Sequence, residues 1–208
     1  MRFDKYCSAR QMTHRTTLFI VYAFEIVMVL LVIAWSASSD ENHLKYESVS
    51  PPSCKNNLGE KVLFRDVDNG RAKSAAGMAK RNETGTPIVY RFAYQHSPKP
   101  LQQFIDLHEC AHHQTGDVDL PHPQRNSPEH MMNESIADCI ATLRIRDEIT
   151  RGENVVFQAV EHLIKDMIKM GFPTLTMESR KANILNCLQK NESADAFIDG
   201  VLRHRKLK

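Results

Sequence analysis

The sequence predicts an α+β fold in which one N-terminal transmembrane helix precedes a small β-sheet and then a mostly helical half. Three observations predict it. Residues 18–35 form an apolar run of about the length of a membrane span, with Glu25 as its single charge. The segments 61–67 and 88–94 are rich in β-branched and aromatic residues, which favour strands. From Lys99 onward, apolar residues recur at helical spacing.

Composition excludes several classes of protein. Charged residues make up 25% of the 208 residues and apolar residues 42%, which excludes wholesale disorder. A net charge of +2 gives no reason to expect a nucleic-acid partner. A mean hydropathy of −0.41 excludes a protein with many membrane spans, although it allows one.

The N-terminal region predicts a membrane-directed segment. Residues 1–15 form a basic leader with four Lys and Arg against one Asp, and the polar stretch after the apolar run is acidic. This asymmetry places the leader in the cytoplasm and the following chain outside it, in a periplasmic or extracellular space. Residues 16–36 are either an uncleaved signal anchor, which leaves a single-pass membrane protein, or a signal peptide, whose cleavage gives a secreted protein.

The sheet-forming part of the chain follows a polar linker. Residues 37–60 contain Pro51 and Pro52 and predict a linker, and a single domain is expected over 61–208. Within it, a strand is predicted at 61–67, a turn at Asp68–Gly70 and a strand at 88–94. The alanine-containing stretch 71–81 predicts a short helix.

Five helices are expected after the sheet. The first begins at Lys99 and ends before Gly116, and a loop over 116–126 follows. Ser127, Pro128 and Glu129 are typical of a helix start, and this second helix can run to Arg151, with Gly152 as its stop. The remaining helices are predicted over residues 153–170, about 177–190 and 194–207.

The first of these helices contains the motif H-E-x-x-H. His108 and His112 are four residues apart, so both imidazoles lie on one helix face and can reach one ion. Glu109 lies about 100° around the helix, where its carboxylate can contact a metal-bound water without being a ligand. The motif therefore predicts a metal site with a general base beside it.

The second helix offers a third ligand. Glu134 and Asp138 are also four residues apart and share a face. A catalytic zinc site takes three protein ligands and leaves one position open. We expect Glu134 to bind the metal and Asp138 to accept the remaining N–H of a liganding histidine.

H-E-x-x-H followed by N-E-x-x-x-D resembles the gluzincin metallopeptidases, the thermolysin-like group, and E-x-x-A-D is similar to the membrane-associated peptidases of that clan. The resemblance covers residues 100–145 of a chain much shorter than the thermolysin type. It implies a zincin-like metallopeptidase domain over 61–208. It also implies His108, His112 and Glu134 as Zn²⁺ ligands, Glu109 as general base, and Asp138 as a residue that contacts a ligand rather than the metal. The substrate that it implies is a peptide or protein. The expected downstream His, Tyr or Arg for the oxyanion has no motif here.

We therefore expect a membrane-tethered zinc peptidase in which a metal-activated water attacks the peptide bond. The strand at 88–94 is expected to bind extended substrate by backbone pairing, as an edge strand. The alternative is a non-catalytic module, stabilised by zinc, that binds or assembles envelope components. Such a module needs the ligands but not the base Glu109.

Four cysteines follow the apolar run, and an even number outside the cytoplasm predicts two disulfides. Sequence leaves three pairings open. A shared zinc brings the first two long helices together and favours a bridge between Cys110 and Cys139, although Cys110 points nearly opposite the two histidines on the helical wheel.

Overall fold

A computed structural model describes residues 46–67, 76–92 and 97–208. The predicted transmembrane segment over 16–36 and the predicted turn at Asp68–Gly70 lie outside these residues. Within the part of the chain that the structure describes, no helix is both long enough and apolar enough to cross a membrane.

Three strands form the small sheet: β1 (Leu63–Val67), β2 (Gly77–Arg81) and β3 (Pro87–Phe92). Their order is β1-β3-β2, so β3 is central, parallel to β1 and antiparallel to β2. Ile88 and Val89 of β3 are fully buried, which agrees with the apolar character that predicted this strand. The strands predicted at 61–67 and 88–94 are thus confirmed over residues 63–67 and 88–92.

β2 corrects one prediction. The described part of the stretch predicted as a helix is residues 76–81, and residues 77–81 of it form a strand instead. The turn that follows explains the change: the side chain of Asn82 accepts hydrogen bonds from the backbone N–H groups of Thr84 and Thr86, which directs the chain back along β3. A helix this short is marginal by itself, so pairing with β3 overrides its alanine content.

The helical half contains α1 (Lys99–Gln114), a 3₁₀ turn (Asp117–Asp119), α2 (Pro128–Glu148), α3 (Gly152–Lys169), α4 (Thr174–Leu188) and α5 (Ala194–His204). The small sheet and the five helices in the described residues confirm the α+β class. The Ser127 hydroxyl accepts from the backbone N–H of His130, as the predicted capping residue should.

The boundary between α2 and α3 differs from the prediction. α2 ends at Glu148, Arg151 adopts a left-handed conformation, and Gly152 is the first residue of α3 rather than the stop of α2. A side chain at Gly152 would place its Cβ only 2.0 Å from the carbonyl oxygen of Ile145. The glycine therefore serves the close approach of two helices.

α1 lies between the sheet and the other helices. Its residue Phe104 packs in the main core with Ile145 of α2, Val160 of α3 and Ile184 of α4. Cys110, toward the other end of α1, packs instead with Val89 of the sheet. Because α1 is buried on both sides, the motif it carries is held by two layers.

The described part of the predicted linker, residues 46–60, is attached to α1. Cys54 forms a disulfide with Cys110, the backbone N–H of Asn57 donates to the carbonyl of His113, and that of Val49 donates to the side chain of Gln102. The packed structure therefore extends to the N-terminal side of residue 61.

Candidate metal centre

α1 places the two histidines of the motif side by side. The Nε2 atoms of His108 and His112 are 3.2 Å apart, and the two rings meet edge to face. His108 is buried at 7% exposure, and His112 is half-buried. The two donor atoms therefore point toward one place.

α2 brings a carboxylate to the same place. Oε2 of Glu134 lies 3.4 Å from Nε2 of His108, and Oε1 lies 3.6 Å from Nε2 of His112. One donor atom from each of the three residues lies within 4.8 Å of the others. His108, His112 and Glu134 thus form a group that can hold a metal ion.

Asp138 lies behind His108, one helical turn after Glu134. Its Oδ1 is 2.9 Å from Nδ1 of His108, which is ion-pair distance, although the ring nitrogen is not aligned for a hydrogen bond. Arg180 of α4 donates two hydrogen bonds of 2.8 Å to the Asp138 carboxylate. Sequence reasoning missed Arg180, because it lies 42 residues from Asp138 and belongs to no motif.

His112 has a carboxylate of its own, which sequence reasoning also missed. Oδ2 of Asp117, in the 3₁₀ turn after α1, lies 2.9 Å from Nδ1 of His112 and accepts from the hydroxyl of Thr115. The signal available in the sequence was an acid five residues after the second histidine, in the turn that follows the helix. Each histidine therefore has an acid at the ring nitrogen that faces away from the site.

The acidic and basic groups of this site shift one another's pKa values toward the charged forms. Burial alone would lower the pKa of His108, but the contacts with Asp138 and Glu134 outweigh burial and raise the pKa to about 10. Burial acts to raise the pKa of Glu134, yet His108, His112 and Arg180 hold it well below its usual range. Glu134 is therefore a carboxylate at neutral pH.

Glu109 lies at the edge of the same group. Its Oε2 accepts a 2.8 Å hydrogen bond from the backbone N–H of Ala79 in β2. Burial is the main cause that raises the pKa of Glu109, since the charges of His108 and His112 act in the opposite direction. The carboxylate is thus fixed by the sheet and has a greater affinity for a proton than an exposed Glu.

Gly77 makes room for Glu109. A Cβ at Gly77 would lie 2.6 Å from Cγ of Glu109 and 2.9 Å from Cγ2 of Ile105. The missing side chain lets β2 approach α1 closely enough for Ala79 to reach the carboxylate. A glycine in a strand is typical of such an approach.

We expect Gly77→Ala to destabilise the protein by about 1–3 kcal/mol, because the methyl group overpacks this contact. The cost should shrink in a Glu109→Ala background, where the nearest obstructing side chain is gone. Gly200→Ala is the matched control, since a Cβ there meets nothing within 4 Å. Urea unfolding of the four variants measures this coupling, and equal costs in both backgrounds would contradict it.

The position of β2 also corrects the expected edge strand. β3 has neighbours on both sides, so the described part of the segment 88–94, residues 88–92, is not an edge. β2 is the strand at the edge of the sheet nearest Glu109.

The disulfides differ from the predicted pair. Cys110 is bonded to Cys54, and Cys139 is bonded to Cys187, so the bridge between Cys110 and Cys139 was wrong. The helical wheel gives the reason. Cys110 faces the sheet and the segment before it, whereas Cys139 faces α4 and the start of α5. The residues that the structure describes contain two disulfides, the predicted number.

No family model, curated protein or solved structure matches this chain. The resemblance to the gluzincins therefore depends on the motif residues alone.

Proposed function

We propose that this protein is a zinc-dependent peptidase. The observation that carries the proposal is the convergence of two imidazole nitrogens and one carboxylate, from α1 and α2, on one point, with the carboxylate of Glu109 close enough to interact with the charges of all three. The resemblance of these residues to the gluzincin motifs supports the same conclusion. The proposed ligands are His108, His112 and Glu134.

The spacing of the donors supports zinc as the ion. Ligand bonds of about 2.0–2.2 Å in a tetrahedron separate neighbouring donor atoms by about 3.3–3.6 Å. The two Nε2 atoms are 3.2 Å apart, and each lies 3.4 or 3.6 Å from one of the two Glu134 oxygens, which is close to these values. With one donor atom from each residue, all three lie within 4.8 Å of one another. Two imidazoles and a carboxylate are also a usual ligand set for catalytic zinc, and a tetrahedral ion would keep one position for water.

Zinc in this position would supply a water of lowered pKa and would polarise the substrate carbonyl. Glu109 is then the group that accepts the proton of the attacking water and passes it to the leaving amine. Burial raises the pKa of Glu109, and a carboxylate of higher pKa is a stronger base toward the water. The hydrogen bond from Ala79 orients the carboxylate before substrate arrives.

Two neighbours of the site complete the proposal. Nη2 of Arg180 lies 3.8 Å from Oε2 of Glu134. The resemblance implies a downstream His, Tyr or Arg that stabilises the oxyanion, and Arg180 is the residue that we propose for this role. The edge strand β2 replaces residues 88–94 as the strand along which an extended peptide would pair.

We also keep the membrane tether as a proposal. The apolar run at 18–35 would anchor the chain with its catalytic domain outside the cytoplasm. The two disulfides support this location, because such bonds persist in oxidising compartments.

One observation favours the alternative of a non-catalytic, zinc-stabilised binding module. The hydrogen bond between Ala79 and Glu109 joins the sheet to α1, so Glu109 has a structural use that requires no catalysis. Peptide hydrolysis distinguishes the two functions, because only the peptidase would cleave a peptide.

The test uses the full chain, purified without chelator, and a library of quenched fluorescent peptides. We expect one zinc per chain and peptide cleavage that phenanthroline abolishes and added zinc restores. A chain that takes up no zinc would contradict both functions. A zinc-loaded chain that cleaves no peptide in the library would overturn the peptidase and favour the binding module.

Metal binding should release protons. At pH 7 the metal-free protein holds His108 protonated, because its pKa is about 10, and only the neutral imidazole binds zinc. Zinc affinity should therefore fall as pH falls, and His108 should release about one proton per zinc at pH 7. Calorimetry in buffers of different ionisation enthalpy measures this release. A binding heat independent of the buffer would contradict it.

A further inference from the structure

The C-terminal end of α5 contacts residues that neighbour the proposed metal ligands. Nη1 of Arg205, the residue after α5, donates to the carbonyl of Thr115 at 2.9 Å and to the carboxylate of Asp117. Nη2 donates at 2.7 Å to the side-chain oxygen of Asn133. One guanidinium thus joins the turn after α1 to the first half of α2.

Two of the acceptors, Thr115 and Asp117, lie directly after α1, and the third, Asn133, lies in α2; these two helices carry the proposed ligands. Asp117 contacts Nδ1 of His112, and Asn133 immediately precedes Glu134. The side chains of Arg205 and Asp117 are only 13% and 8% exposed, so solvent weakens their charge interaction little.

A second contact fixes the chain beyond Arg205. The backbone N–H of Leu207 donates to the carbonyl of Leu202, and Lys206 adopts a left-handed conformation that turns the chain back. Leu207 then lies against Gly116, where an added Cβ would come 2.7 Å from Cδ1 of the leucine. Gly116 also has a positive φ of 77°, so two independent features keep this position free of a side chain.

We propose that Arg205 is a positioning residue for the metal site and that its docking is thermodynamically linked to metal binding. Arg205 holds Asp117 against His112 and, through Asn133, holds the turn of α2 that carries Glu134. This inference rests on the metal ligands of the proposed function, but it does not require peptidase activity. Partners of metal ligands commonly change metal affinity about 10–100-fold when removed.

Linkage makes the effect reciprocal. If docking of Arg205 raises zinc affinity, zinc must stabilise the docked end of α5 by the same free energy. A packing contact far from the ligands that opens by local unfolding would not respond to zinc in this way.

The experiment measures zinc affinity of the full chain by competition with a chromophoric chelator. We expect Arg205→Ala to weaken zinc binding about 10-fold, the lower end of the range for direct partners of ligands, because Arg205 reaches His112 through Asp117. Arg203→Ala is the matched control, because Arg203 is exposed on the same helix, and it should bind zinc as the parent does. Arg205→Lys should recover only part of the loss, since an ammonium does not reproduce the planar donors of guanidinium.

A double-variant cycle tests whether Arg205 acts through Asp117. Arg205→Ala should cost less zinc affinity in an Asp117→Ala background than in the parent, and additive losses would show that Arg205 acts elsewhere. Hydrogen exchange on the parent gives a reading that needs no variant to fold. The amides of Arg205 and Leu207 should exchange more slowly with zinc than without it.

The inference would be overturned if a folded Arg205→Ala variant bound zinc as tightly as the parent. It would also be overturned if zinc did not change the exchange rates of these amides. Either result would leave the peptidase proposal intact. Conversely, linked zinc binding in a chain that cleaves no peptide would support Arg205 as a positioning residue and remove the peptidase.

Discussion

Glu109→Gln is expected to retain zinc and the fold while losing peptide hydrolysis by about 10²–10⁴-fold, the usual contribution of a positioned general base. Glutamine keeps an oxygen that can accept from the N–H of Ala79, so the join between sheet and helix persists. It has no carboxylate to take a proton. The measurement is kcat/KM on a cleaved peptide together with zinc content and the thermal unfolding midpoint.

Glu129→Gln is the matched control for this variant. Glu129 is exposed in the first turn of α2, so its replacement should leave zinc content and kcat/KM unchanged and lower the unfolding midpoint only slightly, through the lost helix-dipole interaction. If Glu109→Gln cleaves peptide as fast as the parent, Glu109 is not the base. Its burial and hydrogen bond would then belong to the structure alone.

His112→Ala is expected to reduce zinc affinity by more than the roughly 100-fold that removal of a neighbouring group costs, and to abolish hydrolysis. The reason is the loss of one of three donors, which leaves His108 and Glu134 alone at the site. Zinc stoichiometry after dialysis against a weak chelator measures the loss. A variant that retains zinc as the parent does would remove His112 from the ligand set.

Two other histidines serve as controls for His112→Ala. His162→Ala, at an exposed position on α3, should change neither zinc content nor stability. His113 is adjacent to the ligand but buried, with its Nε2 3.1 Å from the carbonyl oxygen of Ile88. His113→Ala should therefore lower the free energy of unfolding. Zinc binding should persist at temperatures where the variant is folded, because the His113 side chain faces the sheet rather than the site.

The sequence was sufficient wherever the signal is local. Helical periodicity and the Ser127 and Pro128 start place α1 and α2, and spacing within each helix brings His108 and His112 onto one face. Placing Glu134 opposite them needed only the expectation that a third ligand follows on the next helix.

Long-range features could not be obtained in this way. Gly77–Arg81 has the composition of a helix, and only pairing with β3 makes it a strand. Arg180 and Arg205 reach the site from α4 and the end of α5, and nothing in their local sequence marks them. The disulfide partners depend on which helix faces are opposed, and the number of cysteines does not contain that information.

The two disulfides divide the chain into unequal regions. They close loops over residues 54–110 and 139–187, which do not overlap, and loops of this length each remove about 4 kcal/mol of conformational entropy from the denatured chain. Residues 111–138 fall between the loops, and they carry His112, Asp117 and Glu134. Crosslinking therefore restrains the scaffold on either side, whereas the ordering of this intervening stretch depends on noncovalent packing and on any ion bound there.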